Sequence, residues 1–388
     1  NTTIAQTIWT GYITGNLMDL PAGSLAAVFG AEYRLDELDS DPSRVASEGL
    51  LISYFSDSGA NGRKATRELF AELDIPIVAD KPFFRQLDAN ISGRLTDDEF
   101  YGTNYTYAAK AGWRPVDSLL LKASFGTSFR APNLRENFLN GQSGFNNFFD
   151  PCVVPAVARS TDFQGNETYN PAGENREIDT LARCTREGLD PRALGLNTGN
   201  TGLANAEISR SGTFDLAPET SENLNIGASF EQPWFDAFDL ELGINYYRIE
   251  VKDGIVEPSG QFLINDCYLG DQAVANRSPF CSRLGRDGDG FIDVIDAGFA
   301  NISSDIVAGF DLNARLGKEF VALDRPMDFS LDFRANNLQQ RSNADKDDNG
   351  DLISTDFEGT FGFPTWTGRL RADLEVDNKW TASWTARY

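Results

Sequence analysis

A two-residue alternation of apolar and polar side chains, repeated along most of the sequence, limits the fold more than any other feature. From 24 to 36 one set reads Leu25, Ala27, Phe29, Ala31, Tyr33 and Leu35, while the other carries Ser24, Gly30, Glu32, Arg34 and Asp36. Between 118 and 130, Leu119, Leu121, Ala123, Phe125 and Phe129 oppose Lys122, Ser124, Gly126, Ser128 and Arg130. The pattern returns around Ile226, Leu242, Leu312, Phe333 and Trp384. Successive side chains of a strand point to opposite faces, so each such segment is a strand with one apolar and one polar face.

About twelve strands are predicted, at 4–18, 24–38, 65–78, 86–95, 104–114, 118–130, 221–231, 237–251, 302–316, 326–340, 364–374 and 379–388. Two architectures accept them. In a soluble β-sandwich the apolar faces of two sheets meet and the polar faces meet water. In a membrane barrel the apolar faces meet lipid and the polar faces the lumen. The strands reach the length of a tilted membrane crossing, about ten residues. Aromatic residues (Trp9, Tyr12, Trp113, Trp366, Trp380, Tyr388) are expected at strand ends, as interfacial girdles. Connections alternate between short (19–23, 79–85, 115–117, 232–237, 321–326, 375–378) and longer (39–64, 96–103, 131–220, 252–301, 341–363), as periplasmic turns and external loops do. The fold class expected is therefore all-β, an antiparallel transmembrane β-barrel with long external loops. No stretch approaches the roughly 20 apolar residues of a membrane-spanning helix, so strands must carry any crossing.

Composition removes several functions. The chain has no histidine, which excludes Ser-His-Asp and Cys-His catalysis, His-ligated zinc and His-held haem. Its net charge of −24 makes nucleic acid a poor partner, because phosphate binding needs clustered Lys and Arg. The four cysteines form no CxxC pair. Cys152 and Cys184 share one polar loop segment and Cys267 and Cys281 another. Two loop disulfides formed in an oxidising compartment are expected, against the alternative of four buried thiols.

Several motifs resemble those of one family. Gly112-Trp113-Arg114-Pro115, then Leu119–Ser124, then Phe129-Arg130-Ala131-Pro132-Asn133-Leu134-Arg135-Glu136 are similar to the barrel motif of TonB-dependent outer-membrane receptors. Leu216-Ala217-Pro218-Glu219-Thr220-Ser221-Glu222-Asn223 resembles that family's entry into a downward strand. Leu20-Pro21-Ala22-Gly23 with Gly30-Ala31-Glu32-Tyr33-Arg34, the stretch 68–76, and Asn301 with Gly309-Phe310-Asp311 are similar in kind. The resemblance spans residues 1–388 as a single barrel domain. It implies part of a 22-stranded barrel, truncated at both ends, with an N-terminal plug outside this sequence that engages the TonB complex. It further implies a bacterial outer-membrane location, lipid and a small nutrient ligand as partners, and transport rather than catalysis. Arg130, Pro132, Pro218 and Glu219 are then expected to brace the barrel.

For the ligand, the two longest loops are the candidates. Phe138, Phe145, Phe148 and Phe149 lie among Asn146, Asn147 and other amides, a mixture suited to sugar rings or an aromatic chelate. The alternative is that these phenylalanines form the loop's own small core. Asp345, Asp347, Asn349, Asp351 and Asp356 have the spacing of an EF-hand-like calcium loop, without its terminal Glu or flanking helices; 286–290 is a weaker version. The lumen arginines Arg34, Arg94, Arg130, Arg315, Arg334, Arg369 and Arg371 suit ion pairs with acidic neighbours or with the plug, or else the guidance of anionic ligands. TonB-coupled uptake of an oligosaccharide or iron–siderophore is the expectation. A passive porin and a secreted calcium-binding β-rich adhesin are the competitors.

Overall fold

The computed structural model describes residues 1–52, 56–270, 273–346 and 352–388. Twelve strands form one antiparallel sheet in chain order: β1 (Thr2–Leu20), β2 (Gly23–Ser40), β3 (Ala60–Lys81), β4 (Phe84–Asp98), β5 (Gly102–Val116) and β6 (Leu119–Arg130), then β7 (Glu219–Glu231), β8 (Asp239–Val256), β9 (Ala300–Ala322), β10 (Arg325–Lys346), β11 (Trp366–Val376) and β12 (Trp380–Arg387). A short strand, Leu352–Asp356, extends the outer end of β10. Every strand falls where the alternation placed it. Most run past the expected ends, β9 and β10 farthest, because backbone pairing continues beyond the ten or so residues a crossing needs.

Register explains the two faces. Ala31, Leu69, Leu95 and Tyr105 line up across β2, β3, β4 and β5. Leu69 is 59% exposed, Tyr105 76%, Ile226 52% and Trp384 59%. Among the described residues no second sheet covers this band, as a sandwich would require. The opposite face is a polar lattice. Arg94 Nη1 and Thr96 Oγ1 donate to Glu68 at 2.5 and 2.7 Å, and Asn90 Nδ2 donates to Glu72 at 2.7 Å. An apolar face that the protein leaves bare suits lipid, and the polar face then lines a lumen. All seven arginines expected on the lumen side share that polar face. No described helix is long and apolar enough to cross a membrane.

Two expectations need correction. The connection 96–103 is a tight turn: Asp98 Oδ1 accepts from the N–H groups of Phe100 and Tyr101, and Gly102 closes it at φ +66°. Only glycine enters that backbone region without steric cost. Trp9 and Tyr12 lie inside β1 rather than at its end, and Tyr12 stands opposite Gly30 on the polar face. Trp113 does sit near a short turn, where its Nε1 donates to the Phe83 carbonyl at 2.9 Å.

The two faces should respond oppositely to charge. Ile226→Arg is expected to destabilise the membrane-inserted receptor by about 2–4 kcal/mol. Asn245→Ser, on the polar face, should cost less than about 1 kcal/mol. Urea titration of folding into lipid vesicles reads both, and equal costs would contradict the assignment of faces.

Candidate ligand-gathering site

The long connections 131–218 and 257–299 fold together. Strand Leu203–Arg210 of the first pairs antiparallel with Gln142–Phe149 and parallel with Ile292–Asp296 of the second. Beneath this small sheet lies a shared core containing Phe148, Ile208, Leu263, Ile264 and Ile295. Both expected disulfides are present, Cys152–Cys184 and Cys267–Cys281, and all four sulfur-bearing residues belong to the same core. Among the described residues, the one cluster with metal-ligand spacing, Glu187 with Cys267 and Cys281, has its two sulfurs joined in a disulfide.

Charge locks the two loops. Asp150 is fully buried and meets Arg286 of the other loop in a bidentate pair at 2.6 and 3.1 Å. Arg286 also donates to the Gly290 carbonyl and to Tyr268 Oη, and Asp150 Oδ1 accepts from the Cys152 N–H. Such a pair is tolerable in a core only because nearly every donor and acceptor is used. Burial pushes the Tyr268 phenol above its usual range. Across the same boundary, Arg277 holds Glu187 at 2.9 Å, and Gln261 makes two hydrogen bonds to the backbone of Phe149.

The candidate ligand residues divide by face. Phe148 turns into the core and is 4% exposed. Phe138 anchors the loop to the wall: its ring occupies the space a Cβ on Gly62 would need, and it packs edge-on against Phe100 and Phe214. Phe145 and Phe149, 71% and 51% exposed, stand on the other face with Asn147. Opposite them in register are Glu207, Leu203 and Asn205, and Asn205 Nδ2 donates to Asn147 Oδ1 at 3.0 Å. Asn146 points to the opposite face from Asn147, and its side-chain oxygen accepts from the Asn147 N–H. The result is a solvent-facing platform of two aromatic rings, an amide pair and one carboxylate. The partner strand 203–210 was missed in the sequence, because its alternation is short and lies inside a long polar loop.

Of the calcium set, Asp347, Asn349 and Asp351 lie outside the described residues, and Asp345 belongs to β10. Asp356 Oδ1 accepts from the N–H groups of Arg341 and Glu358. In the weaker segment, Asp287 Oδ1 accepts from the N–H groups of Asp289 and Phe291, which makes it the cap of a hairpin turn.

The motif residues form a bracket where the first long loop leaves and rejoins the wall. Arg130 donates to Glu219 at 2.5 and 2.7 Å and to Glu136 at 2.9 and 3.1 Å. Glu136 also caps the helix Leu134–Phe138 in a reciprocal box with Asn133. Glu219 Oε1 accepts from the Ile255 N–H at 2.8 Å, which brings in the end of β8 from which the second loop departs. The Asn301 side chain both donates to and accepts from the backbone of Ala217, just before Pro218. Pro218 has no N–H to leave unpaired at that strand entry. Pro132 is fully buried, and its carbonyl accepts from Lys64, which is itself paired with Asp98 at 3.2 Å. Beside the bracket, on the polar face, lies a cavity of about 620 Å³ with Arg34, Lys64, Arg130 and Arg135 over Leu134 and Leu139.

A wall of hydrogen-bonded strands with an apolar outside, a polar inside and a folded cap on one end defines a membrane barrel protein. The family model for the TonB dependent receptor-like β-barrel matches residues 1–388, and the chain belongs to that family. Among solved structures it is similar to the siderophore receptor PirA of Acinetobacter baumannii, with 14% identity, a TM-score of 0.53, 99% of this chain and 42% of that one covered. A variant of the ferric enterobactin receptor PfeA of Pseudomonas aeruginosa gives 14%, 0.50, 96% and 46%. A double mutant of the Serratia marcescens hemophore receptor HasR, in complex with its hemophore HasA and heme, gives 14%, 0.52, 100% and 51%. The chain thus spans about half the length, or less, of these receptors, and the likeness is one of fold. None of the curated protein sequences matches it.

Two outcomes test the site. Arg130→Ala leaves two largely buried carboxylates facing each other and should destabilise the loop junction by about 1.5–3 kcal/mol; hydrogen exchange at residues 133–138 and 255 reads it, and unchanged protection there would refute the bracket. Arg176 and Tyr169 hydrogen-bond Glu174 and hold its carboxyl down at about 2, against an ordinary 4.5. Its stabilisation is therefore present above pH 4.5 and is lost as pH falls from 4.5 toward 2. Glu174→Gln, which removes the titrating carboxyl, should abolish that acid-dependent loosening of the loop core as followed by peptic digestion between pH 4 and 2.

Proposed function

We propose that this chain is the barrel wall and extracellular cap of an outer-membrane receptor that takes up a scarce small nutrient, with energy delivered by the TonB complex through a plug encoded elsewhere in the receptor. The cap is the observation that carries the reading. Two loops share one core, two disulfides and a buried ion pair, and present a platform of Phe145, Phe149 and an amide pair, while the polar wall holds a cavity lined by Arg34, Lys64, Arg130 and Arg135 together with Asp36 and Asp57. A channel for passive flow has no use for so large an ordered capture surface. The backbone edges of β1 and β12 have no partner among the described residues, and hydrocarbon leaves such edges unsatisfied. The sheet is then an arc of a larger closed barrel.

No covalent step is needed. Aromatic faces and amides take up the ligand, the lumen wall receives it, and energy-driven motion of the plug releases it. The test is growth of a strain deleted for the receptor on a limiting oligosaccharide or limiting ferric chelate, with and without a functional TonB. A defect on one nutrient class that TonB loss reproduces supports the reading. Receptor-dependent uptake that persists without TonB would identify a passive channel and discard it.

A further inference from the structure

The lipid face carries a depression that its own side chains leave unfilled. Across β2, β3, β4 and β5, all paired on both sides, the register sets Phe29, Ala71, Gly93 and Tyr107 in one row. The two outer rings are 52% and 55% exposed, and the two residues between them are small. Leu69 and Leu95 close the end of the resulting groove, which has a volume of about 600 Å³. Gly93 has no positive φ, and a Cβ built on it would meet nothing nearer than the Thr106 carbonyl at 3.8 Å. No contact within the protein therefore requires a glycine there. Glycine inside a strand weakens it, and often marks a place where another molecule approaches closely.

Toward the long loops, the next row on this face is Ala31, Leu69, Leu95 and Tyr105, and the one after it Tyr33, Arg67, Asp97 and Thr103. Arg67 and Asp97 lie 3.5 Å apart with side chains 72% and 48% exposed, and Thr103 donates to Asp97 at 3.4 Å. A second cavity, of about 520 Å³, covers this pair and shares Leu69 and Leu95 with the groove. Trp9 of β1 borders it, as do Glu32 and Glu68 from the lumen side. Those two carboxylates are engaged there, Glu32 by Thr10 and Glu68 by Arg94 and Thr96. One trough thus runs from an exposed pair of opposite charges to an apolar floor deeper in the membrane.

We propose that this trough holds one phospholipid of the loop-side leaflet, its zwitterionic headgroup on the Arg67–Asp97 pair and an acyl chain laid past Leu69 and Leu95 onto Gly93. Neighbouring strands are about 4.8 Å apart, so the guanidinium and the carboxylate face a phosphate and an ammonium joined by two carbons. Each end of such a headgroup meets its opposite charge, whereas a purely anionic headgroup would also meet Asp97. An ion pair this exposed adds little to the fold by itself. At the membrane interface, where less water screens it, the same pair attracts a headgroup more strongly. Tyr33 and Tyr105 flank the pair at the depth where amphipathic rings settle. The site needs the lipid face alone and does not depend on which nutrient the receptor carries.

The test uses the full-length receptor, stripped of lipid in detergent and titrated with phosphatidylethanolamine or with phosphatidylglycerol of the same acyl chains, with binding read by native mass spectrometry. The wild-type receptor should hold one phosphatidylethanolamine about fivefold or more tightly than phosphatidylglycerol. Gly93→Leu, which fills the groove without a clash, should weaken that binding about fivefold or more and melt no lower than wild type. Arg67→Gln keeps the groove and should lose the headgroup preference, so that the two lipids bind within about twofold of each other. Lys252→Gln, at the same end of the lipid face but in register with Thr220 rather than beside the trough, should stay within about twofold of wild type. Equal retention of the two lipids by the wild type, or a preference for phosphatidylglycerol, would overturn the proposal. So would a Gly93→Leu receptor that binds as the wild type does. Should Gly93→Leu not fold, Arg67→Gln decides alone: a preference left unchanged in that variant sinks the assignment.

Discussion

Hydrocarbon offers no hydrogen-bond partner to a peptide group, and the rest of this structure depends on that fact. Within the membrane, every N–H and C=O must pair with a neighbouring strand. The chain meets this demand with long meandering hairpins whose short ends are turns of a few residues. All irregular backbone is then displaced to the other end, where water can solvate it. The one-sided accumulation of long loops follows from the solvent, and the platform of Phe145 and Phe149 is built from what had to be placed at that end.

Once outside, those loops face the ordinary problem of small domains, too little core for their length. They solve it by folding as a pair. The shared apolar core is modest, and two disulfides restrict the unfolded loops at the point where apolar burial is least sufficient. The Asp150–Arg286 pair has a different role. A buried ion pair is weak evidence of stability, yet either partner left alone would be a buried, unneutralised charge. It therefore penalises any arrangement in which one loop is ordered and the other displaced. The platform of Phe145, Asn147 and Phe149 owes its fixed geometry to that coupling.

The wall and the cap are joined by charge as well. Arg130 spans the exit of one strand, the helix that follows and the return strand 89 residues later in sequence. This explains why a motif in one segment of sequence and a second motif far downstream occur together: each supplies half of one bracket. The lumen arginines follow a different logic. Arg94 is neutralised by the cross-strand Glu68, whereas on β10 and β11 Asp332 serves both Arg334 and Arg369.

The sequence by itself determined the strands, their two faces and the disulfide partners. A period of two is a local property of consecutive residues, and a cysteine pair within one short polar segment has few alternatives. It did not separate the tight turn at 99–101 from a loop, because one Asp side chain and one positive-φ glycine decide that and both are common in loops. Nor did it show that Phe148 and Phe138 are packed while Phe145 and Phe149 are exposed. That depended on strand 203–210, which joins them from more than fifty residues away, and on Gly62, which makes room for a ring. The trough on the lipid face was equally hidden. Ala71 and Gly93 each look like an ordinary small strand residue along the chain, and only cross-strand register, fixed by hydrogen bonds between separate segments, sets them side by side.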